Sequence, residues 1–161
     1  MKIKLLLLSF FLVFTGYHLY TLDLYPLPWE DDTTFASISL SFEKTGTFHC
    51  PVANDARNYK EVLHYGPLYF ILGAGLFKVF GVSIWIFRLL SFAGCLLCAY
   101  YLFRLLKQKE TGYVPVLAAI LFLLDPFIQV SMHEGRMDLF ATGLALASVF
   151  YALEGKEKNK F

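Results

Sequence analysis

Five apolar stretches punctuate this chain: Ile3 to Leu22, Pro67 to Gly81, Ile84 to Leu106, Tyr113 to Met132 and Met137 to Leu153. A bilayer core of about 30 Å takes roughly 20 apolar residues as a helix. The first, third and fourth stretches meet that length, and Met137 to Leu153 comes close enough to cross with modest tilt. Pro67 to Gly81 is shorter, carries Lys78 and is broken by Gly73 and Gly75. It is expected to be a juxtamembrane or half-inserted helix. Between the first two stretches lie mostly polar residues, Asp23 to Gly66. Within them Phe35, Ile38 and Phe42 recur at helical spacing, with Thr34, Ser37 and Ser41 opposite and Gly46 as the stop. This predicts an amphipathic interfacial helix lying on the membrane and starting near Asp31 and Asp32. The expected organisation is a single all-α integral membrane domain over residues 1–161. It comprises an anchor helix (1–22), an outer loop with juxtamembrane helices (23–83), three transmembrane helices (84–153) and a cytoplasmic tail (154–161).

Composition agrees. Of 161 residues, 57% are hydrophobic and only 17% charged, against about 25% in soluble domains, and mean hydropathy is +0.55. Disorder, a disulfide scaffold and an ordinary soluble globule are excluded. The net charge of +1 offers no basic field for nucleic acid. No small-x-small cleavage site follows the first stretch, so it is expected to stay as an uncleaved anchor. Cys95 and Cys98 sit inside an apolar run and read as packing residues rather than a redox pair.

Charge asymmetry sets the orientation. If Pro67 to Gly81 does not span, Lys2, Lys4, Arg104, Lys107, Lys109, Lys156, Lys158 and Lys160 share one side, eight of the 14 basic residues. The positive-inside rule makes that side the cytoplasm, giving about four spanning helices with both termini cytoplasmic; the expected location is the cell (inner) membrane. The outer face then gathers the 23–66 loop, with seven of the 13 acidic residues, and the turn His133-Glu134-Gly135-Arg136 followed by Asp138.

Two constellations there could carry chemistry. Asp31 and Asp32 suit helix N-capping and also a general base acting on an acceptor hydroxyl. Glu134 and Asp138, four apart, would share a helical face if the last helix starts early. Arg136 could reach a phosphate, for which a guanidinium fork is well shaped. Its plainer reading is an interfacial turn with Arg136 paired to an acid. Arg88, one turn into its helix on the outer side, is either a snorkelling anchor or a second phosphate contact. Asp125-Pro126 should kink the third span, with Asp125 satisfying freed backbone groups. His49, Cys50, Asp55 and His64 match no metal-ligand spacing, and no nucleotide-binding loop occurs, so neither metal nor cofactor is expected. Ala141, Ala145, Ser148 and Ala152 form a small-residue stripe that predicts close packing of the last helix against another.

The runs Tyr65-Gly66-Pro67-Leu68-Tyr69-Phe70, Phe77-Lys78-Val79-Phe80-Gly81 and Phe87-Arg88-Leu89-Leu90-Ser91 resemble the "HPPLYY…FKLFG…RLPS" stretch of the dolichyl-phosphate-mannose-protein mannosyltransferase-like membrane glycosyltransferases. Trp29-Glu30-Asp31-Asp32 is similar to their first-loop "W-x-D-E", and Met132 to Asp138 to their "S-R-E-A-R-M-D". The resemblance covers their N-terminal third. It implies a GT-C-like bundle, a lipid-linked (polyprenyl-phosphate) sugar donor and transfer at the outer membrane boundary, usually with inversion. It further implies Asp31 as the catalytic Asp, with Asp32 where Glu is common, and Arg88, Glu134, Arg136 and Asp138 as substrate-binding residues. Tyr65-Gly66 replaces His-Pro and His133 replaces Arg, changes for which Lys60 and His64 could compensate. Partners would be the donor, membrane lipid and further transmembrane helices or subunits. The rival expectations are a non-catalytic subunit binding a lipid phosphate or a partner, and an ion or proton pathway through Asp125 and Asp138.

Overall fold

The computed structural model describes residues 2–52 and 65–158, which fold as seven helices with no strand among them. In chain order they are α1 (Lys2–Thr21), α2 (Glu30–Thr45), α3 (Leu68–Phe80), α4 (Ile84–Lys107), α5 (Val114–Leu124), α6 (Pro126–His133) and α7 (Asp138–Lys158). α4 and α7 are each long and apolar enough to cross a membrane, and the bent pair α5–α6 would supply a third span. Leu5–Thr21 of α1 and all of α3 are shorter apolar helices. At 1.5 Å per residue the 13 residues of α3 reach about 20 Å, short of a bilayer core.

Local chemistry sets the helix ends. Glu30, Asp31 and Asp32 occupy the first turn of α2, where acidic groups complement the helix dipole. Its C-terminus closes on Gly46 in the left-handed region (φ 72°), whose N–H donates to the Phe42 carbonyl at 2.9 Å. Ser83 caps α4 by accepting from the Trp85 N–H at 3.2 Å. The predicted kink at Asp125-Pro126 is a full break. α5 and α6 diverge by 60°, and the Asp125 carboxylate accepts from the Phe127 and Ile128 N–H groups at 2.9 and 3.1 Å. Pro126 cannot donate to the ladder, so the residue before it leaves the helix and caps the next one.

α4 is shared by two packed clusters. On one side Phe14 of α1 and Leu22 just after it, Phe92, Cys95 and Cys98 of α4, Leu123, Met132 and Leu139 form an apolar core. On the other, Phe35 and Ile38 of α2, Tyr69, Phe70 and Phe77 of α3, and Ile86, Phe87 and Leu90 of α4 form the second. The apolar face of α2 is therefore spent on α3 and α4 rather than laid on lipid. Phe42, expected on that face, is only half-buried, while Ser39 and Ser41 are buried. Ser39 sits against Gly73 of α3, where a β-carbon would lie 2.7 Å from its Oγ and 2.4 Å from the Phe87 ring.

α4 and α7 approach through glycine. A β-carbon on Gly94 would stand 2.5 Å from the Phe140 backbone nitrogen, and Gly143 lies against Leu97. The Cys98 thiol donates to the Leu139 carbonyl at 3.1 Å, so this cysteine is a packing residue. The predicted small-residue stripe takes no part in it: Ala141, Ala145, Ser148 and Ala152 are all exposed, and Leu139, Gly143 and Phe150 are the buried positions among the described side chains of α7. The stripe's period is right for a contact face, but Gly143, the smallest residue of α7's buried face, lies off it and sets the approach.

Backbone cannot yield to a new methyl as a side chain can. Gly94→Ala should therefore cost about 1–3 kcal/mol, the range for overpacking. Gly16→Ala should be neutral or slightly stabilising, since nothing lies within 4 Å of its virtual β-carbon. Thermal unfolding of the detergent-solubilised variants checks both, and equal midpoints would contradict the packing described.

Candidate functional site

The site forms where the segment after α1, the first turn of α2, the second turn of α4 and the turn between α6 and α7 converge. Asp32 lies at its centre with its side chain fully buried. Its Oδ2 accepts from Arg88 Nη2 at 2.8 Å and from the Trp29 N–H at 3.1 Å. Its Oδ1 accepts from the Gly135 N–H by a short hydrogen bond and from Arg88 Nε at 3.5 Å. Arg88, 1% exposed, spends its remaining guanidinium nitrogen on the Leu22 carbonyl at 2.8 Å. Desolvating such ions costs several kcal/mol each, about what good geometry and full hydrogen bonding must offset.

The turn at 134–136 is held from two sides. Its own backbone closes tightly, Arg136 N–H donating to the Glu134 carbonyl at 2.8 Å. On one side Asp32 holds Gly135. On the other the Ser91 hydroxyl donates to the Arg136 carbonyl at 2.5 Å. Ser91 Oγ in turn lies 3.0 Å from the Tyr69 hydroxyl, which acts as donor because the serine proton is already committed. Burial pushes the Tyr69 phenol well above its ordinary value, and nearby Asp32 and Asp138 raise it further, which keeps that proton in place. Gly135 is required for space: a β-carbon there would lie 2.7 Å from Asp32 Oδ1 and 3.0 Å from the Phe87 ring.

Above this buried layer sits an exposed one. Arg136 Nη1 is 3.5 Å from Asp31 Oδ2 and Arg136 Nε is 2.8 Å from Asp138 Oδ2, with side-chain exposures of 40, 34 and 62% for Arg136, Asp31 and Asp138. Half-buried Glu134 joins them. Burial raises its pKa, Asp32 and Asp31 add to the rise, and Arg136 and Arg88 oppose it.

Of the residues expected at the site, Asp31, Asp32, Arg88, Glu134, Arg136 and Asp138 thus come together, in two layers. Lys60 and His64 lie outside the described residues. Glu134 and Asp138 do not share a helix, because Glu134 is extended (φ −91°, ψ 142°) beyond α6 and α7 begins at Asp138. Asp125 is exposed and spent on capping. Cys50 is buried, its thiol 3.6 Å from Ser37 Oγ, while His49 is exposed and Asp55 lies outside the described residues.

Sequence reasoning passed over Tyr69, Ser91, Gly135 and the Leu22 carbonyl. Tyr69 and Ser91 stood inside motifs already singled out, whereas a backbone carbonyl leaves no trace in a sequence. It also passed over His18, whose Nδ1 lies 3.2 Å from His133 Nε2 on the inner side of the turn.

Residues 59–159 match the family described as alpha-(1->6)-mannopyranosyltransferase, N-terminal domain. The chain belongs to this family. It is therefore a membrane glycosyltransferase sequence corresponding to an N-terminal part, as the motif resemblance implied. Neither a curated protein nor a solved structure matches it. Arg88, Ser91, Glu134, Gly135, Arg136 and Asp138 fall inside the matched mannopyranosyltransferase segment, and the Asp31-Asp32 doublet precedes it.

Two outcomes follow. Gly135→Ala should displace the Asp32 carboxylate and lower stability by about 1–3 kcal/mol, read from thermal unfolding. Glu134 gives a pH signature. An acid whose folded pKa is raised binds its proton more tightly when folded, so its ionisation destabilises the fold as pH climbs above the ordinary carboxylate value near 4.3. Glu134→Gln should raise the unfolding temperature at neutral pH, and the gain should vanish below about pH 4. A gain independent of pH would contradict the assignment.

Proposed function

We propose that this chain is the N-terminal part of a mannosyltransferase that moves a mannosyl group from a polyprenyl-phosphate donor to an acceptor hydroxyl at the outer membrane face. In this reading both termini lie on the cytoplasmic side, as the eight co-sided Lys and Arg residues favour. The observation that carries it is the exposed Asp31 carboxylate facing the Arg136 guanidinium at 3.5 Å, in a chain of a mannopyranosyltransferase family.

The chemistry follows from that pair. Asp31 accepts the acceptor's hydroxyl proton as its oxygen attacks the anomeric carbon. The bond from that carbon to the phosphate oxygen breaks, and polyprenyl phosphate leaves with the electron pair. Arg136, freed from Asp31 as the phosphate arrives, matches phosphate geometry with its planar fork, and Asp138 on Nε holds that fork in orientation. Beside the turn a cleft of about 140 Å³, lined by Tyr65, Pro67, Tyr69, Met137, Phe140 and Leu144, offers an apolar berth for the first units of the lipid.

A second reading, a non-catalytic subunit binding a lipid phosphate, draws on the exposed small-residue face of α7 as a docking surface. One assay separates the two. With radiolabelled polyprenyl-phosphate mannose and membranes holding the native-length protein, Asp31→Asn should reduce transfer at least about 100-fold, the lower bound for a positioned base, with normal insertion. Arg136→Met should raise the donor KM. Donor binding without turnover in the unmutated protein would favour the subunit, and transfer undiminished in Asp31→Asn would overturn the proposed base.

A further inference from the structure

Asp32 and Arg88 present a puzzle as reacting groups. Together they are the most deeply buried ions among the described residues, and every nitrogen of the guanidinium is engaged. A donor phosphate could reach Arg88 only by displacing a carboxylate that also holds Gly135 and Trp29. No substrate contact is open to either.

Their partners define another role. Leu22 follows α1, Trp29 precedes α2, Arg88 belongs to α4 and Gly135 lies between α6 and α7. The pair is the only described interaction that touches all four segments at once. The two exposed groups proposed to act, Asp31 and Arg136, each adjoin a clamped residue in sequence: Asp31 adjoins Asp32, and Arg136 adjoins Gly135. Fixing the Asp32 carboxylate on the Gly135 N–H thus fixes the backbone on both sides of the Asp31–Arg136 gap.

We propose that Asp32 and Arg88 are positioning residues: a buried ion-pair clamp that sets the separation of Asp31 and Arg136 without itself meeting substrate. The role rests on the reading of Asp31 and Arg136 above, but its geometric half can be tested without turnover. Stability and positioning are separable, because removing both ions together avoids the larger cost of leaving one buried charge unpaired.

The test uses the full chain in nanodiscs with nitroxide labels at Glu30→Cys and Phe127→Cys, both exposed positions, the native cysteines being buried. Asp32→Leu/Arg88→Met, which takes their partners from the Trp29 and Gly135 N–H groups and the Leu22 carbonyl, should still unfold cooperatively but at a lowered temperature, and below that temperature its label-to-label distance distribution should broaden at least twofold. Arg88→Lys keeps the charge but cannot span Asp32 and the Leu22 carbonyl together, and should broaden it less. In the transfer assay the double variant should lose at least tenfold in kcat with the donor KM within twofold. An unbroadened distribution in a folded variant would overturn the clamp. Loss of the fold in both variants would also overturn it, making the pair a scaffold element. Broadening without measurable transfer in any form would leave the clamp standing and remove the proposed reaction instead.

Discussion

A carboxylate and a guanidinium withdrawn from water must be fully complemented or they unfold what surrounds them. The Asp32–Arg88 pair meets that demand by recruiting backbone: the N–H groups of Trp29 and Gly135 and the carbonyl of Leu22. Each recruit lies at the end of a different helical segment, where backbone groups have no intrahelical partner. The unsatisfied ends of the fold and the unsatisfied charge of the pair cancel one another. Removing either side strands the other, so this end of the bundle has few alternative arrangements open to it.

Glycine and the small hydroxyl side chains give that end its tolerance for close approach. Gly73 lets α3 settle on Ser39 and Phe87, Gly94 lets α7 lie on α4, and Gly135 lets a tight turn meet a carboxylate. α4 is the common wall, sending Phe87 and Leu90 to one cluster and Phe92, Cys95 and Cys98 to the other. It also carries Arg88 and Ser91, one turn apart, which support the two sides of the 134–136 turn. The site inherits its rigidity from a helix already fixed on both faces.

Much of this was legible in the sequence and some could not be. Apolar run lengths marked the helices from α3 to α7, and Gly46 and Pro126 marked their ends, because length and backbone restriction are local properties. The doublet Asp31-Asp32 announced itself as adjacent acids at the start of an amphipathic helix, and Arg88 and Asp138 as charge at membrane depth. Partnership was not legible. Glu134 and Asp138 share a helical spacing but not a helix, since the chain turns tightly at Gly135. The alanine stripe of α7 has a contact face's period but stays exposed among the described residues. The face of α2 that looked destined for lipid is covered by α3. Periodicity says that a face is apolar without saying what lies against it.

The doublet shows how one local rule divides the labour. Consecutive residues on a helix point about 100° apart, so two adjacent acids at the edge of a buried face can be divided between core and water. Asp32 turns inward onto Arg88; Asp31, one step earlier, is left a third exposed beside Arg136. The inner acid needs burial to hold its partners, and the outer, in its proposed role as a base, needs solvent and substrate access. A single residue could not meet both demands, and residues two helical turns apart would not share one rigid frame. Adjacent positions at a helix N-terminus satisfy both, because the same dipole that welcomes negative charge there supports the buried and the exposed carboxylate alike.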